Sequence, residues 1–287
     1  MAWHGMAWHG NYTQTHPQSI RKNPLSTVKN LVTLFAVSQS KANSGDQTTN
    51  SVNPPQQIKS KKRVADHGEV YTHPREVNAM LDLVKAETER IESRFLEPAC
   101  GTGNFLVEIL HRKLSVVAQR YQKSQHEYER NAIVALSSIY GIDILADNVQ
   151  HCRERLLNIF DNQYHQTFKQ SSPKQYLETA RYILSRNILH GDALTLKTVG
   201  DESTPSHPII FSEWTPVNGS KIKRRDFVYA DLVDKASERE LPLFSDLGEE
   251  AFIPTPVHEY PATHFLQLAQ VETPPQANEH TNCESAS

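Results

Sequence analysis

Apolar positions along the chain recur at helical spacing in some stretches and gather in short runs in others, and the switches between them mark the elements. Val77, Met80, Leu81 and Val84 fall at helical spacing just after Thr72-His73-Pro74, where the proline suits a first helical turn. The spacing predicts a helix from about Pro74 to Glu89. Phe95-Leu96 form a short apolar run that stops at Glu97-Pro98-Ala99-Cys100, and two glycines then flank Thr102. From Asn104 onward Phe105, Leu106, Ile109, Leu110 and Leu114 restore the helical period, which predicts a helix to about Tyr121. A charged stretch, Gln122 to Arg130, follows, and Asn131 to Ile139 is apolar and helix-prone. Ile139 to Ile144 reads as a short buried strand carrying an acid, Asp143, near its end. Ala146 to Phe160 is amphipathic, with Val149, Cys152, Leu156 and Ile159 toward the sheet. Ile188-Leu189 supply another short strand, closed by Gly191-Asp192, and Pro208 to Phe211 supply a fourth. Short strands alternating with helices argue an α/β chain with a parallel sheet.

The segment Arg94 to Leu110 organises the rest: strand, tight glycine turn, helix. Gly101 and Gly103 let the backbone approach a ligand at the carboxyl end of a strand, the crevice where open α/β sheets bind nucleotides. No phosphate-loop sequence G-x-x-x-x-G-K-[ST] occurs. The position that would hold a third small residue in a dinucleotide turn is Leu106. Glu97 also argues against pyrophosphate, since like charges would face each other. A carboxylate there suits a ligand with a cationic amine, such as the methionine end of S-adenosylmethionine. Asp143 is placed to accept ribose hydroxyls, or to cap the helix that follows. Asp192 can accept an adenine amine, with Ala193-Leu194 walling the ring, or can simply form a turn. Three strands thus end in acids suited to three parts of one ligand.

Composition narrows the picture. A chain of 287 residues holds one sizeable core, and a hydrophobic share of 38% leaves part of it outside that core. The first ten residues are MAWHG twice, which reads as a duplicated start and not a structural repeat. Residues 1–62 are expected to be a disordered extension, 63–270 the packed α/β domain and 271–287 a disordered tail. The apolar patch Leu31 to Val37 lies too far in for a signal peptide. Three widely spaced cysteines (Cys100, Cys152, Cys283) match neither a zinc pattern nor a disulfide framework, so a reducing, cytoplasmic setting is expected. No apolar run approaches membrane-spanning length. A net charge of -3 means that nucleic-acid binding must use a local basic patch.

The series VYTHP, FLEPACGTGNF, YGIDI, HGDAL resembles the class I S-adenosylmethionine-dependent DNA methyltransferases. Within them it is most similar to the N6-adenine enzymes of restriction–modification systems, in the subgroup where cofactor motifs precede the catalytic one. The resemblance covers roughly residues 63 to 196. It implies a Rossmann-like doubly wound sheet with helices on both faces, S-adenosyl-L-methionine as cofactor and no metal. It further implies double-stranded DNA as substrate, with a specificity or restriction subunit as a further partner. By resemblance, Tyr71, Thr72 and Pro74 match the segment touching the methionine moiety. Glu97, Pro98, Ala99, Cys100, Gly101, Gly103 and Asn104 match the cofactor loop. Asp143 and Ile144 match the ribose and adenine contacts, and Asp192 and Ala193 the adenine-amine contact.

One departure stands out. The family's catalytic motif, [DN]-P-P-[FYW] after the fourth strand, occurs nowhere in this chain. SEWTPVNG, residues 212–219, stands there instead. In it Glu213 can serve as acceptor for the target amine, Trp214 as stacking ring and Pro216 as rigid turn; each also reads as a surface acid, a core ring and a loop stiffener. Lys221, Lys223, Arg224 and Arg225 follow, suited to phosphate contacts around a flipped base or to a solvated charge run. Two alternatives to an active adenine methyltransferase follow: a catalytically silent cofactor-binding subunit, and a methyltransferase for a non-DNA substrate.

Overall fold

The computed structural model describes residues 72–201, 203–238 and 255–271. Helix α1 (Pro74–Asp82) opens on the expected proline, with His73 Nδ1 accepting the Arg75 N–H at 3.2 Å. It buries Val77 and Leu81. It does not run on to Glu89: Val84 leaves helical geometry (φ -121°, ψ 32°), and one further turn forms as α2 (Lys85–Thr88). Two paired-helix crossovers then join three strands: β1 (Phe95–Glu97), α3 (Asn104–Tyr121), α4 (Gln125–Ser137), β2 (Ile139–Asp143), α5 (Ala146–Phe168), α6 (Lys174–Asn187) and β3 (Ile188–Asp192). The charged stretch after Tyr121 is mostly helix. Ser124 Oγ accepts the Glu127 N–H at 3.4 Å, which caps α4, and the run's exposed charges face solvent.

Strands β1, β2 and β3 are parallel, with Phe95 opposite Ile139 and Gly141 opposite Ile188. Strand β4 (Lys197–Thr198) closes this sheet antiparallel, in the order β1-β2-β3-β4. Leu106, Leu110, Leu114, Ile142, Leu156 and Ile183 are almost wholly excluded from water between sheet and helices. Each such side chain contributes about 1.5–3 kcal/mol by burial. Lys113 is buried among them. Its ammonium donates to the carbonyls of Arg90 and Ile91 at 3.1 Å, to that of Ser93, and to Ser138 Oγ at 2.7 Å. This ties α3 to the loop that feeds β1.

The fourth strand differs from expectation. Strand β5 (Ile210–Pro216) takes most of SEWTPVNG into extended structure. It pairs antiparallel along its whole length with β6 (Lys221–Val228). The cause is local: residues 217–220 make a tight turn in which Gly219 takes φ +70°, so a hairpin forms in place of a loop. Helix α7 (Tyr229–Glu238) follows. Short strands β7 (His258–Glu259) and β8 (Thr263–His264) also pair with β6, and a 3₁₀ turn spans Phe265–Gln270. The architecture is mixed α/β with parallel and antiparallel sheets. A doubly wound sheet needs a strand on the far side of β1, and none pairs there among the described residues.

Candidate functional site

The turn after β1 is held against the end of β2. The Cys100 N–H donates to the Ile142 carbonyl at 2.9 Å, which holds the turn against β2. The Gly101 N–H donates to Asp143 Oδ2 at 2.8 Å. Asp143 Oδ1 accepts from the Leu145 N–H at 2.9 Å and from Asn148 Nδ2 at 3.1 Å. Asp143 therefore braces the turn and the entry to α5 together. A carboxylate offers about four lone-pair sites, so this one retains capacity for a ligand hydroxyl.

The two glycines have different tasks. Gly101 has φ +53°, and nothing lies within 4 Å of where its Cβ would be; its open side faces outward. Gly103 has φ +85°, and a Cβ there would sit 2.6 Å from Cys152 Sγ. Its smallness serves the packing of α5 under the turn. Cys100 and Cys152 are buried and unoxidised. A hydrogen bond with Cys152, together with burial, pushes the Cys100 thiol well above its ordinary range. Cys100 is thus a protonated packing group.

Glu97 ends β1 half-buried, and its carboxylate has no hydrogen-bond or ion-pair partner among the described residues. Burial alone pushes its pKa up to about 7. Desolvation without a neighbouring cation holds this acid toward its neutral form. Pro98 and Ala99 lie between it and the turn. The N–H groups of Thr102, Asn104 and Phe105, at the start of α3, have no partner among the described residues, as expected of a helix N-terminus.

Asp192 closes β3 half-exposed. Its Oδ1 accepts the Leu194 N–H at 2.8 Å and its Oδ2 the Thr195 hydroxyl at 3.1 Å. The turn reading of Asp192 therefore holds, on the same sheet edge as Glu97 and Asp143. Exposed Ile144 and Leu194 flank this edge, with Ala193 half-buried between Asp192 and Leu194. His190 Nε2 lies 3.0 Å from the Ile144 carbonyl and links the β2 and β3 ends. The Thr72 carbonyl accepts from Asn104 Nδ2 at 3.5 Å, which brings the segment before α1 to the turn; Pro74 opens that helix. Tyr71 lies outside the described residues.

Glu213, Trp214 and Pro216 are not brought to this edge. Strand β5 starts beside the carboxyl end of β3, where the Ile209 N–H donates to the Leu196 carbonyl at 3.0 Å. It then runs toward the amino ends of the parallel strands. Glu213 is buried between Arg94 (2.7 Å), just ahead of β1, and Arg225 (2.5 Å). Trp214 is 4% exposed, and its indole N–H donates to Asn187 Oδ1 at 2.9 Å. Asn187 in turn ties Ser137 and Ile139 together through its Nδ2. Pro216 ends β5 at the hairpin turn. In this placement the ring is core, the plainer of its two sequence readings, whereas the acid is a buried ion-pair centre and not the surface acid that its plain reading expected.

The basic run divides in the same way. Arg224 is buried and makes a two-point ion pair with Asp226 (Nε–Oδ1 2.8 Å, Nη2–Oδ2 2.6 Å), 4.2 Å beneath the Tyr260 ring. Arg225 is held by Glu213, and Lys223 pairs with Glu259 at 2.8 Å. Lys221 is exposed and has no partner among the described residues. A strand explains the split: alternate residues face opposite sides, so one basic run cannot present all its charges together.

The sequence reading missed Arg155, whose guanidinium grips the turn from α5, and Arg94. Arg155 falls one helical turn after Cys152 on the packed face, and that spacing was the available signal. Among the described residues, no three His, Cys, Asp or Glu side chains gather as a metal site, and no helix is long and apolar enough to cross a membrane.

No curated protein and no solved structure matches the chain. Residues 71–203, which hold the glycine turn and all three strand-end acids, match the family model described as MmeI, DNA-methyltransferase domain, and this similarity supports a DNA methyltransferase.

Proposed function

We propose that residues 71–203 bind S-adenosyl-L-methionine and that the chain serves methyl transfer to DNA, at the N6 amine of adenine. The observation that carries the reading is the unpartnered Glu97 carboxylate beside the open Gly101 turn. A sulfonium nucleoside brings an ammonium that this acid lacks, and a carboxylate for the unpaired N–H groups of Thr102, Asn104 and Phe105. Asp143 has acceptor capacity for ribose hydroxyls, and Asp192 for the adenine amine, between Ile144 and Ala193. Bound there, the cofactor supplies an electrophilic methyl group. The chain's own contribution is to fix that group's position, which is where most of the rate gain in such transfers arises. Tyr71, Thr72 and Pro74 belong to the same proposal as the methionine-side wall. Lys221 is the DNA-backbone contact best supported by exposure.

The ion pairs of Glu213 favour a second reading. In it this chain binds cofactor, and handling of the target base falls to another polypeptide, such as a specificity or restriction subunit. Calorimetric titration with S-adenosylmethionine, repeated on Asp143→Ala, tests the binding half. Tritium transfer from labelled cofactor to duplex DNA tests the other half. Binding without transfer selects the second reading, and no binding removes both.

A further inference from the structure

Arg155 lies half-buried on α5, and among the described residues its side chain donates only to the glycine turn and to the first residue of α3. Its Nη1 donates to the Thr102 carbonyl at 2.6 Å, to Thr102 Oγ1 at 3.2 Å and to Asn104 Oδ1 at 2.9 Å. Asn104 passes the link on, through Nδ2, to the Thr72 carbonyl. We propose that Arg155 is a positioning residue of the cofactor turn, fixing the Thr102–Gly103 peptide through its carbonyl so that the chain enters α3 with the N–H groups of Asn104 and Phe105 facing the ligand.

The physical need is specific to this turn. Thr102 sits between two glycines with positive φ, +53° and +85°. The peptide that carries the Thr102 carbonyl also carries the Gly103 N–H, and with glycine on that side it rotates at lower steric cost. Rotated, Thr102 would turn its carbonyl oxygen toward the ligand's carboxylate. A charge-assisted hydrogen bond from a guanidinium to that oxygen, with two further acceptors on the same nitrogen, selects one orientation. The grip comes from the helix whose entry Asp143 braces, so Asp143 fixes Gly101 while Arg155 fixes Thr102. Loss of Arg155 therefore acts through turn shape and not through a ligand contact.

The role rests on the cofactor reading above, and two measurements separate their failures. The first is amide hydrogen exchange without ligand. Arg155→Ala should speed exchange at Gly103, whose N–H donates to the Cys100 carbonyl at 2.8 Å, while amides of β2 keep their rates. The second is S-adenosylmethionine titration of the full chain. Arg155→Ala should weaken binding about tenfold. Arg155→Lys, one bond shorter but still a triple donor, should recover part of the loss. Arg155→Ala combined with Asn104→Ala should bind no worse than the weaker single variant, because the two residues act as one unit. Unchanged Gly103 exchange in Arg155→Ala overturns the positioning role whether or not cofactor binds. So does an affinity within about twofold of the parent, or losses that simply multiply. Absence of binding in the parent removes the cofactor reading alone. If Arg155→Ala fails to fold, Arg155→Lys carries both measurements: faster Gly103 exchange and weaker binding than the parent are expected, and parent values in both overturn the role.

Discussion

The Asp143 carboxylate accepts the backbone N–H of Gly101 at 2.8 Å, although the two residues stand 42 positions apart in the chain. This bond joins the end of one strand to the turn leaving its neighbour. It makes the acid both a structural brace and, in the proposed function, a ligand contact.

Asp143→Ala removes acceptors for Gly101, Leu145 and Asn148 at once. Hydrogen bonds to a charged group contribute about 1.5–3 kcal/mol each, partly recovered by water at this rim. Stability should fall by roughly 2 kcal/mol in denaturant titration. Cofactor affinity should fall by more than the tenfold expected for Arg155→Ala. Asp143→Asn keeps one acceptor oxygen and should be milder in both. An unaltered affinity in Asp143→Ala would remove this residue from the site.

Glu97 makes the unliganded protein sensitive to pH. Its folded pKa, about 7, lies above its ordinary value of 4.5, so between these values the folded state binds more protons than the unfolded state. The contribution is fully present below pH 4.5 and is lost as pH rises through 7. Binding of a cationic amine should run the opposite way, because only the carboxylate pairs with it. Affinity for S-adenosylmethionine should rise between pH 6 and 8 in the parent, and Glu97→Gln should flatten the profile. A flat profile in the parent contradicts the pairing.

The glycines should separate stability from binding. Gly103→Ala forces a Cβ against Cys152 Sγ at φ +85°. It should cost about 2 kcal/mol or more of stability, part of it restored by Cys152→Ala, which removes the clashing sulfur. Gly101→Ala meets no protein atom but must hold φ +53°. It should cost only about 1 kcal/mol of stability while blocking cofactor. Thermal melts and titrations on the two variants check the contrast.

The hairpin charges should sort by burial. Arg224→Ala leaves Asp226 buried without its partner, a change that costs about 3–5 kcal/mol. Glu213→Gln loosens Arg94 and Arg225, which are themselves partly exposed, and should cost on the order of 1–3 kcal/mol with cofactor affinity unchanged. Lys221→Ala should leave stability within about 0.5 kcal/mol. If the hairpin meets DNA, that variant should lower the salt dependence of binding by about one phosphate contact. Lost methyl transfer in Glu213→Gln at unchanged stability would return Glu213 to the chemistry.

The sequence by itself determined the local elements over residues 95–121, 139–160 and 188–192. A glycine turn between a short apolar run and a 3.6-period helix depends on neighbours in the chain, so β1, α3, β2, the start of α5 and the acids ending the strands were legible. Helix α6 gave no signal that was read, and the charges of residues 122–130 hid the capped start of α4. Only the tertiary structure decided what the second half does. Glu213 looks like a free acid until Arg94 is folded against it, and Arg224 looks like a DNA contact until Tyr182, Asp226 and Tyr260 close around it. Likewise the different tasks of Gly101 and Gly103 depend on Cys152, which approaches only when α5 packs beneath the turn. The reason is common to all three. Residue type and period report what a side chain can do beside its neighbours, whereas burial and charge pairing are set by segments that meet only after folding.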